Sequence, residues 1–134
     1  MSVDIQTTNE IPVAPPARRV AYGLLLALLL AATVFEVADH GHLGAALAGG
    51  LGPDLALLLG AGAGLERGQL HPRVVPVYNA VHRFWAPVAL VAAASLGLLG
   101  VGWLIAGLGW TAHVAMDRTA GYGQRTRDGF QRAR

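Results

Sequence analysis

Four apolar runs, separated by short polar or glycine-rich segments, constrain this chain more than any other feature of its sequence. They cover about residues 20–38, 43–65, 74–99 and 101–118. A helix of roughly 20 apolar residues, rising 1.5 Å per residue, is long enough to cross the hydrocarbon core of a bilayer. The sequence therefore predicts an all-α protein, a bundle of four transmembrane helices within residues 18–123.

The composition agrees with a membrane location. Hydrophobic residues make up 54% of the 134-residue chain and charged residues only 13%, against about 25% charged in soluble domains. The mean hydropathy is +0.47. All ten basic residues are arginines, and all but Arg83 stand outside the apolar runs or at the end of one, so the basic balance does not indicate a nucleic-acid partner. The chain has no cysteine, which excludes disulfides, thiolate metal sites and cysteine nucleophiles.

The two ends of the chain are polar. Residues 1–17 contain three prolines and are predicted to form a disordered leader. A cleavable signal peptide is the rival interpretation of the first apolar run. We disfavour it because the leader is long for the charged region of a signal peptide and the apolar run is long for its core. Residues 124–134 are predicted to form a basic cytoplasmic tail.

The arginines predict the orientation of the bundle. They cluster before the first run, between the second and third, and after the fourth, at Arg18, Arg19, Arg67, Arg73, Arg118, Arg125, Arg127, Arg132 and Arg134. Four spans with both termini in the cytoplasm put all these segments on the inner side, as the positive-inside rule requires. If residues 74–118 formed one bent span instead, the arginine-rich tail would lie outside. We therefore expect a multi-pass protein of the bacterial inner membrane.

Ionisable residues inside apolar runs are the first candidates for a functional site, because each costs about 2.5–3.5 kcal/mol on insertion scales. On the four-span topology these residues fall in the inner half of the bundle. Asp54 lies near the middle of span two, His82 in the first turns of span three, and His113 and Asp117 in the last turns of span four. His113 and Asp117 are four residues apart and share a helical face.

Two histidines and two carboxylates suit a divalent zinc, manganese or iron ion, and helical bundles build metal sites from facing helices. The sequence thus offers Asp54, His82, His113 and Asp117 as metal ligands. The alternative is that these residues reach the interface, or form pairs such as Asp54 with Arg83, that fix helix packing without chemistry.

Several other polar residues have two interpretations each. Substrate binding or a structural role is open for Asn79, Arg83, Arg118 and Tyr122. The outer group consists of Glu36, Asp39, His40 and His42. It could form a weak metal site, but we favour a solvated loop, because loops normally carry such residues. Close helix packing or the ordinary abundance of glycine in membrane helices explains the small-residue stripe of Ala56, Gly60 and Gly64.

Several motifs together resemble a family of short bacterial membrane proteins, the domain of unknown function 4260. They are Pro53-Asp54, Tyr78-Asn79-x-x-His82, His113-x-x-Met116-Asp117-Arg118-x-x-Gly121-Tyr122-Gly123 and Gly129-Phe130. The Met-Asp-Arg-x-x-Gly-Tyr-Gly string is specific, whereas Pro-Asp alone is weak. The resemblance covers roughly residues 20–130 and implies a small polytopic membrane protein, without an activity.

A looser resemblance links the same positions to membrane-bound metal-dependent hydrolases. It implies that Asp54, His82, His113 and Asp117 form the metal set. The His-Arg-x-x-Thr-His-Ser string of those hydrolases is reduced here to His82-Arg83. Likeness at the level of fold does not by itself establish an activity.

Three functions remain open from the sequence. The first is a metal-dependent hydrolase near the cytoplasmic leaflet, in which Arg83 or Arg118 holds an anionic substrate. The second is a small transporter or proton relay that uses the same residues as a titrating chain. The third is a non-catalytic membrane partner protein. The lipid bilayer is the expected partner, and a homodimer is compatible with so small a bundle.

Overall fold

The computed structural model describes residues 14–132. This part of the chain contains six α-helices: α1 (Pro16–His40), α2 (Leu43–Leu51), α3 (Leu55–Gly60), α4 (Val75–Val81), α5 (Trp85–Ser95) and α6 (Val101–Ala120). Single 3-10 turns at Gly52–Asp54 and Pro72–Val74 lead into α3 and α4. The described residues contain no strand, only an isolated bridge between Arg125 and Gln131, which confirms the all-α prediction for them. Most of the predicted leader, residues 1–13, lies outside the described residues.

The helices combine into four segments: α1, the nearly continuous α2–α3 segment Leu43–Gly60, the α4–α5 segment of residues 75–95, and α6. Arg19 donates a hydrogen bond from Nε to the Thr119 carbonyl (2.9 Å), so the start of α1 lies beside the end of α6. At the opposite end, the ring of His42 lies beside Gly102 at the start of α6. Hence α1 runs antiparallel to α6, and the α2–α3 segment runs parallel to it.

The α4–α5 segment also runs antiparallel to α6. The Trp110 indole donates to the Val81 carbonyl (2.7 Å), while Val91, farther along the chain, contacts the earlier Gly107. Successive segments therefore alternate in direction. The start of α1, the connection from α3 to α4, and the end of α6 meet at one end of the bundle, which we call the arginine-bearing end.

Helix α6 is the central element, because α1, α2 and α5 all pack against it. Nine of its residues are buried, whereas α1 buries only Thr33. Most of the large apolar side chains of α1 are exposed, and Leu28 is 70% exposed. Helix α1 and the α2–α3 segment are long and apolar enough to cross a membrane, with mean hydropathies of 2.2 and 1.5. An apolar outer surface around a partly polar interior is what a bilayer favours.

Two prolines interrupt the helical segments at the depth of the candidate site. Pro53 lies in the 3-10 turn between α2 and α3. Pro87 lies in the first turn of α5 and cannot donate to the carbonyl four residues earlier, that of Arg83. The helix therefore breaks after Val81, and the carbonyls at the break accept bonds from side chains of α6: Val81 from Trp110 and His82 from Arg118.

The chain after α6 folds back onto the arginine-bearing end. Gly121 ends α6 in a left-handed conformation (φ 90°). The returning chain forms a short hairpin whose Gly129 carbonyl accepts from the Leu70 amide (2.9 Å). Gly129 has φ +97°, and a Cβ there would clash with the Leu70 carbonyl, so this approach requires glycine. We call residues 121–132 the tail hairpin.

Candidate metal centre

Four side chains from three helical segments converge inside the bundle. The Nε2 atoms of His82 and His113 are 3.3 Å apart. One Asp54 oxygen, Oδ1, lies 3.4 Å from the Nε2 of His113 and 3.7 Å from that of His82. Asp117 Oδ2 lies 3.5 Å from His82 Nε2 and 3.8 Å from His113 Nε2. The fold thus brings together the four residues that the sequence offers as metal ligands.

The local structure explains why these side chains meet. Asp54 ends the 3-10 turn that contains Pro53, and His82 occupies the break that follows α4. His113 and Asp117 stand one turn apart in the second half of α6. The two helix breaks therefore supply one ligand each, and the unbroken central helix supplies the other two.

Both histidines have one ring nitrogen fixed by a backbone carbonyl. The Nδ1 of His113 is 2.8 Å from the Gly50 carbonyl, and the Nδ1 of His82 is 2.8 Å from that of Tyr78. A carbonyl oxygen only accepts hydrogen bonds, so each Nδ1 carries a hydrogen, and a neutral ring has its lone pair at Nε2. Two such lone pairs facing each other cannot bond. A cation between them, a metal ion or a proton, satisfies both.

The spacing of the donor atoms suits a metal ion. Zinc binds imidazole nitrogen and carboxylate oxygen at about 2.0–2.2 Å, which places the ligand atoms of a tetrahedral site roughly 3.3 Å apart. The separations between histidine and carboxylate atoms here, 3.4–3.8 Å, are slightly wider than that. Ligand atoms of Asp54, His82 and His113 all lie within 4.8 Å of one another. Mixed imidazole and carboxylate ligands also suit iron and manganese.

The candidate centre is closed on one side and open on the other. His82 and His113 are buried, the Asp117 side chain is 13% exposed, and that of Asp54 is 46% exposed. The two carboxylates border a cavity of about 380 Å³ whose wall also includes Tyr122 and Arg125. We call it the polar cavity. Catalytic metal sites keep such an accessible position, whereas structural zinc sites are closed.

Neighbouring groups hold the two histidine rings in place. The Tyr78 ring stacks on His82, with 3.9 Å between ring centroids. On the other side, α2 and α6 cross so closely that a Cβ added to Gly109 would stand 2.7 Å from the Ala46 carbonyl and 3.2 Å from the Gly50 nitrogen. This crossing brings the Gly50 carbonyl to His113. Hydrogen bonds of this kind set the orientation and basicity of metal-bound histidines.

Two of the additional residues predicted from the sequence have well-defined contacts. Arg118 is buried and donates from Nη2 to the His82 carbonyl (2.7 Å) and from Nη1 to the Tyr122 carbonyl (3.2 Å). Asn79 bonds the backbone of Arg125 twice, donating to its carbonyl (3.0 Å) and accepting from its amide (2.7 Å). Arg118 therefore joins the end of α6 to the residue that follows α4, and Asn79 joins α4 to the tail hairpin.

The remaining two differ from each other. Tyr122 is exposed and lines the polar cavity. Arg83 is exposed at the α4–α5 break and does not line this cavity. The fold therefore brings Tyr122, but not Arg83, to the wall of the cavity.

The outer group lies at the opposite end of the bundle. His40 lies between Glu36 (3.3 Å) and Asp39 (3.4 Å), and these contacts are partly exposed. His42 does not join them, because its ring lies beside Gly102 of α6.

Three functional groups were not predicted from the sequence. The Gly50 carbonyl left no trace in residue types, because it belongs to the backbone. Tyr78 precedes His82 by one helical turn, and that spacing was a usable signal. Arg125 was predicted only as part of a basic tail, yet it lines the polar cavity and donates to the carbonyls of Gly68 and Gly129.

Comparison with known proteins gives one match. The model of the family described as Domain of unknown function (DUF4260) matches residues 21–134. Searches of curated proteins and of solved structures give no match. The matched residues include all four side chains of the candidate metal centre as well as the tail hairpin, so the chain belongs to the DUF4260 family.

Proposed function

We propose that this protein is a membrane-embedded hydrolase that depends on a divalent metal ion, zinc, manganese or iron, held by His82, His113, Asp117 and Asp54. One observation carries the proposal: the Nε2 atoms of two buried histidines face each other at 3.3 Å, each with its Nδ1 bonded to a carbonyl, beside two carboxylates. A pairing that served only to pack the helices would not need both lone pairs aimed at one point.

The membrane location is part of the proposal. Four alternating helical segments with an apolar outer surface are consistent with a four-span bundle, although α1 and the α2–α3 segment alone meet simple criteria of length and hydropathy. The arginine-bearing segments all meet at one end of the bundle. By the positive-inside rule this end faces the cytoplasm, in a bacterial cell membrane, with the metal centre in the inner half.

The chemistry divides between the ion and the chain. A bound divalent metal polarises the substrate and lowers the pKa of its bound water, which makes a nucleophile at neutral pH. The two histidines and Asp117 hold the ion from the buried side. Asp54, on the open side, faces the cavity through which water and substrate enter, and Arg125 on the cavity wall attracts an anionic substrate.

A proton relay is the competing function, since a proton shared by the histidines also satisfies both nitrogens. A relay across the bundle needs further titratable groups toward the outer end. Residues 23–35, 43–53 and 84–112 contain no Asp, Glu, His, Tyr or Arg, so no titratable side chain continues the path from the centre toward Glu36 and Asp39. This gap favours metal binding.

Metal content tests the proposal directly. The untagged protein, purified in detergent, would be analysed by elemental mass spectrometry beside His113→Ala and a matched control, His40→Ala. We expect close to one zinc, manganese or iron per chain in the wild type and in His40→Ala, and almost none in His113→Ala. If the wild type holds no metal even after incubation with each of the three ions, the hydrolase proposal is wrong.

A further inference from the structure

Met116 lines two cavities, one bordered by charged side chains and the other almost entirely apolar. One is the polar cavity beside Asp54 and Asp117. The other, of about 250 Å³, lies between α1, α2 and α6 and reaches His113. We call the second one the apolar cavity. Since both reach the candidate metal centre, a molecule that occupies them together must be polar at one end and apolar at the other.

The polar cavity favours an anionic group. Its cation is Arg125, whose guanidinium carbon lies 5.0 Å above the centre of the Tyr78 ring. The Arg125 Nε is buried and is the one side-chain atom of the described residues that is buried without a hydrogen-bond partner. A metal ion at the carboxylates, together with Arg125 in the lining of the same cavity, would attract a phosphate group.

The apolar cavity offers almost nothing to a polar ligand. Leucines 26 and 30 of α1 form one wall, and Gly50 and Gly109 leave space on α2 and α6. Its polar side chains are His113, whose Nδ1 is bonded to the Gly50 carbonyl, and Thr33, which donates its hydroxyl hydrogen to the Leu29 carbonyl (2.7 Å). A hydrocarbon chain fits such a lining, because burying apolar surface is favourable and no polar group is left without a partner.

The two cavities are ordered along the bundle as a lipid is ordered in the inner leaflet. The polar cavity lies next to the tail hairpin, at the arginine-bearing end. From Leu26 to Thr33 the apolar cavity follows α1 away from that end for about 10 Å, at 1.5 Å per residue. A head group at the cytoplasmic surface with its chain directed toward the bilayer centre matches this order.

We propose that the substrate is an amphiphile with a phosphate head group and one hydrocarbon chain, taken from the inner leaflet. The proposal rests on the hydrolase function above. In the hydrolysis, the oxygen of water forms a bond to phosphorus, the bond from phosphorus to the chain-bearing oxygen breaks, and that oxygen takes up a proton. Alcohol and inorganic phosphate are the products.

The experiment fills the apolar cavity and leaves the metal ligands untouched. Leu30→Trp enlarges a side chain that is 50% exposed but lines the apolar cavity, whereas Leu28→Trp enlarges one that is 70% exposed and does not line it. The affinities of hexadecyl phosphate and butyl phosphate for zinc-loaded protein would be measured by native mass spectrometry in detergent. Metal content would be measured on every sample.

We expect the wild type and Leu28→Trp to bind hexadecyl phosphate far more tightly than butyl phosphate. Leu30→Trp should lower the affinity for hexadecyl phosphate at least about tenfold, the effect of leaving two methylene groups unburied. On the same reasoning it should change the affinity for butyl phosphate less than about twofold. An equal loss of hexadecyl phosphate affinity in both variants would overturn the substrate proposal even if the zinc remains bound. An affinity that does not depend on chain length would overturn it as well. A wild type that holds neither zinc, manganese nor iron would instead overturn the hydrolase function.

Discussion

At the scale of single residues, the hydrogen bonds of two ring nitrogens are what favour the proposed metal binding. Backbone carbonyls fix the Nδ1 hydrogens of His82 and His113, so both Nε2 atoms are presented as electron donors before any ion arrives. Pre-oriented donors lose little conformational freedom on binding. The residues behind them, above all Arg118 on the His82 carbonyl, should therefore affect metal affinity without contacting the ion.

The variant Arg118→Lys tests this indirect role. A lysine has one terminal nitrogen and cannot repeat the two bonds that Arg118 makes to the carbonyls of His82 and Tyr122. We expect metal affinity to fall about 10- to 100-fold, as for other groups that orient a ligand. The measurement is zinc competition with a chromophoric chelator, with Arg83→Lys, an exposed position, as the control. Equal zinc affinity in the two variants would contradict the prediction.

The sequence predicted the candidate ligands but not their support. Ionisable residues in apolar runs drew attention to Asp54, His82, His113 and Asp117, because the membrane makes unneeded charges costly. Their role as ligands stays a prediction. The Gly50 carbonyl could not be predicted, since it reaches His113 from a backbone position that no residue type marks.

At the scale of elements, the crossing of α2 over α6 positions one side of the site. A Cβ at Gly49 would clash with the Ala106 carbonyl, and a Cβ at Gly109 would stand 2.7 Å from the carbonyl oxygen of Ala46. Glycines on both helices therefore allow the backbones to touch. The small-residue stripe at Ala56, Gly60 and Gly64 does not mark this contact. A Cβ at Gly60 would meet the Leu70 side chain, and one at Gly64 would meet nothing.

Matched glycine substitutions test the crossing. Gly109→Ala adds a methyl group where only backbone atoms can yield, so we expect a loss of about 1–3 kcal/mol in stability, as in other overpacked interiors, together with weaker metal binding. Gly44→Ala adds the same group to α2 in open space and should leave both unchanged. Thermal unfolding in detergent, with metal content measured alongside, checks the pair. If Gly109→Ala unfolds at the wild-type temperature and retains its metal, the close crossing does not position His113.

Proline explains why the third apolar run forms two helices rather than one. Residues 74–99 look like one apolar span, yet Pro87 withholds a hydrogen bond from the preceding turn and the helix breaks at residues 82–84. The break makes His82 a cap residue and frees its carbonyl for Arg118. Hydrophobicity alone did not reveal this, because the residues on both sides of the break remain apolar.

At the scale of the whole molecule, the tail hairpin completes the arginine-bearing end of the bundle. The sequence predicted only a basic tail, since local patterns do not show where a polar segment docks. In the structure Asn79 holds Arg125 and Gly129 meets Leu70, so the tail brings Arg125 to the polar cavity. Arginines predicted to set the membrane orientation thus also contribute to the candidate site.

The orientation itself can be tested because the chain has no cysteine, so a single introduced thiol reports one position. Leu98→Cys lies in the exposed connection between α5 and α6, and Asp128→Cys lies in the exposed part of the tail hairpin. With four spans and both termini inside, a membrane-impermeant maleimide should label Leu98→Cys in intact cells and Asp128→Cys only after permeabilisation. A three-span protein would place the tail outside, contrary to the positive-inside rule. Labelling of Asp128→Cys in intact cells would therefore overturn the four-span topology, and with it the inner-leaflet source of the proposed substrate.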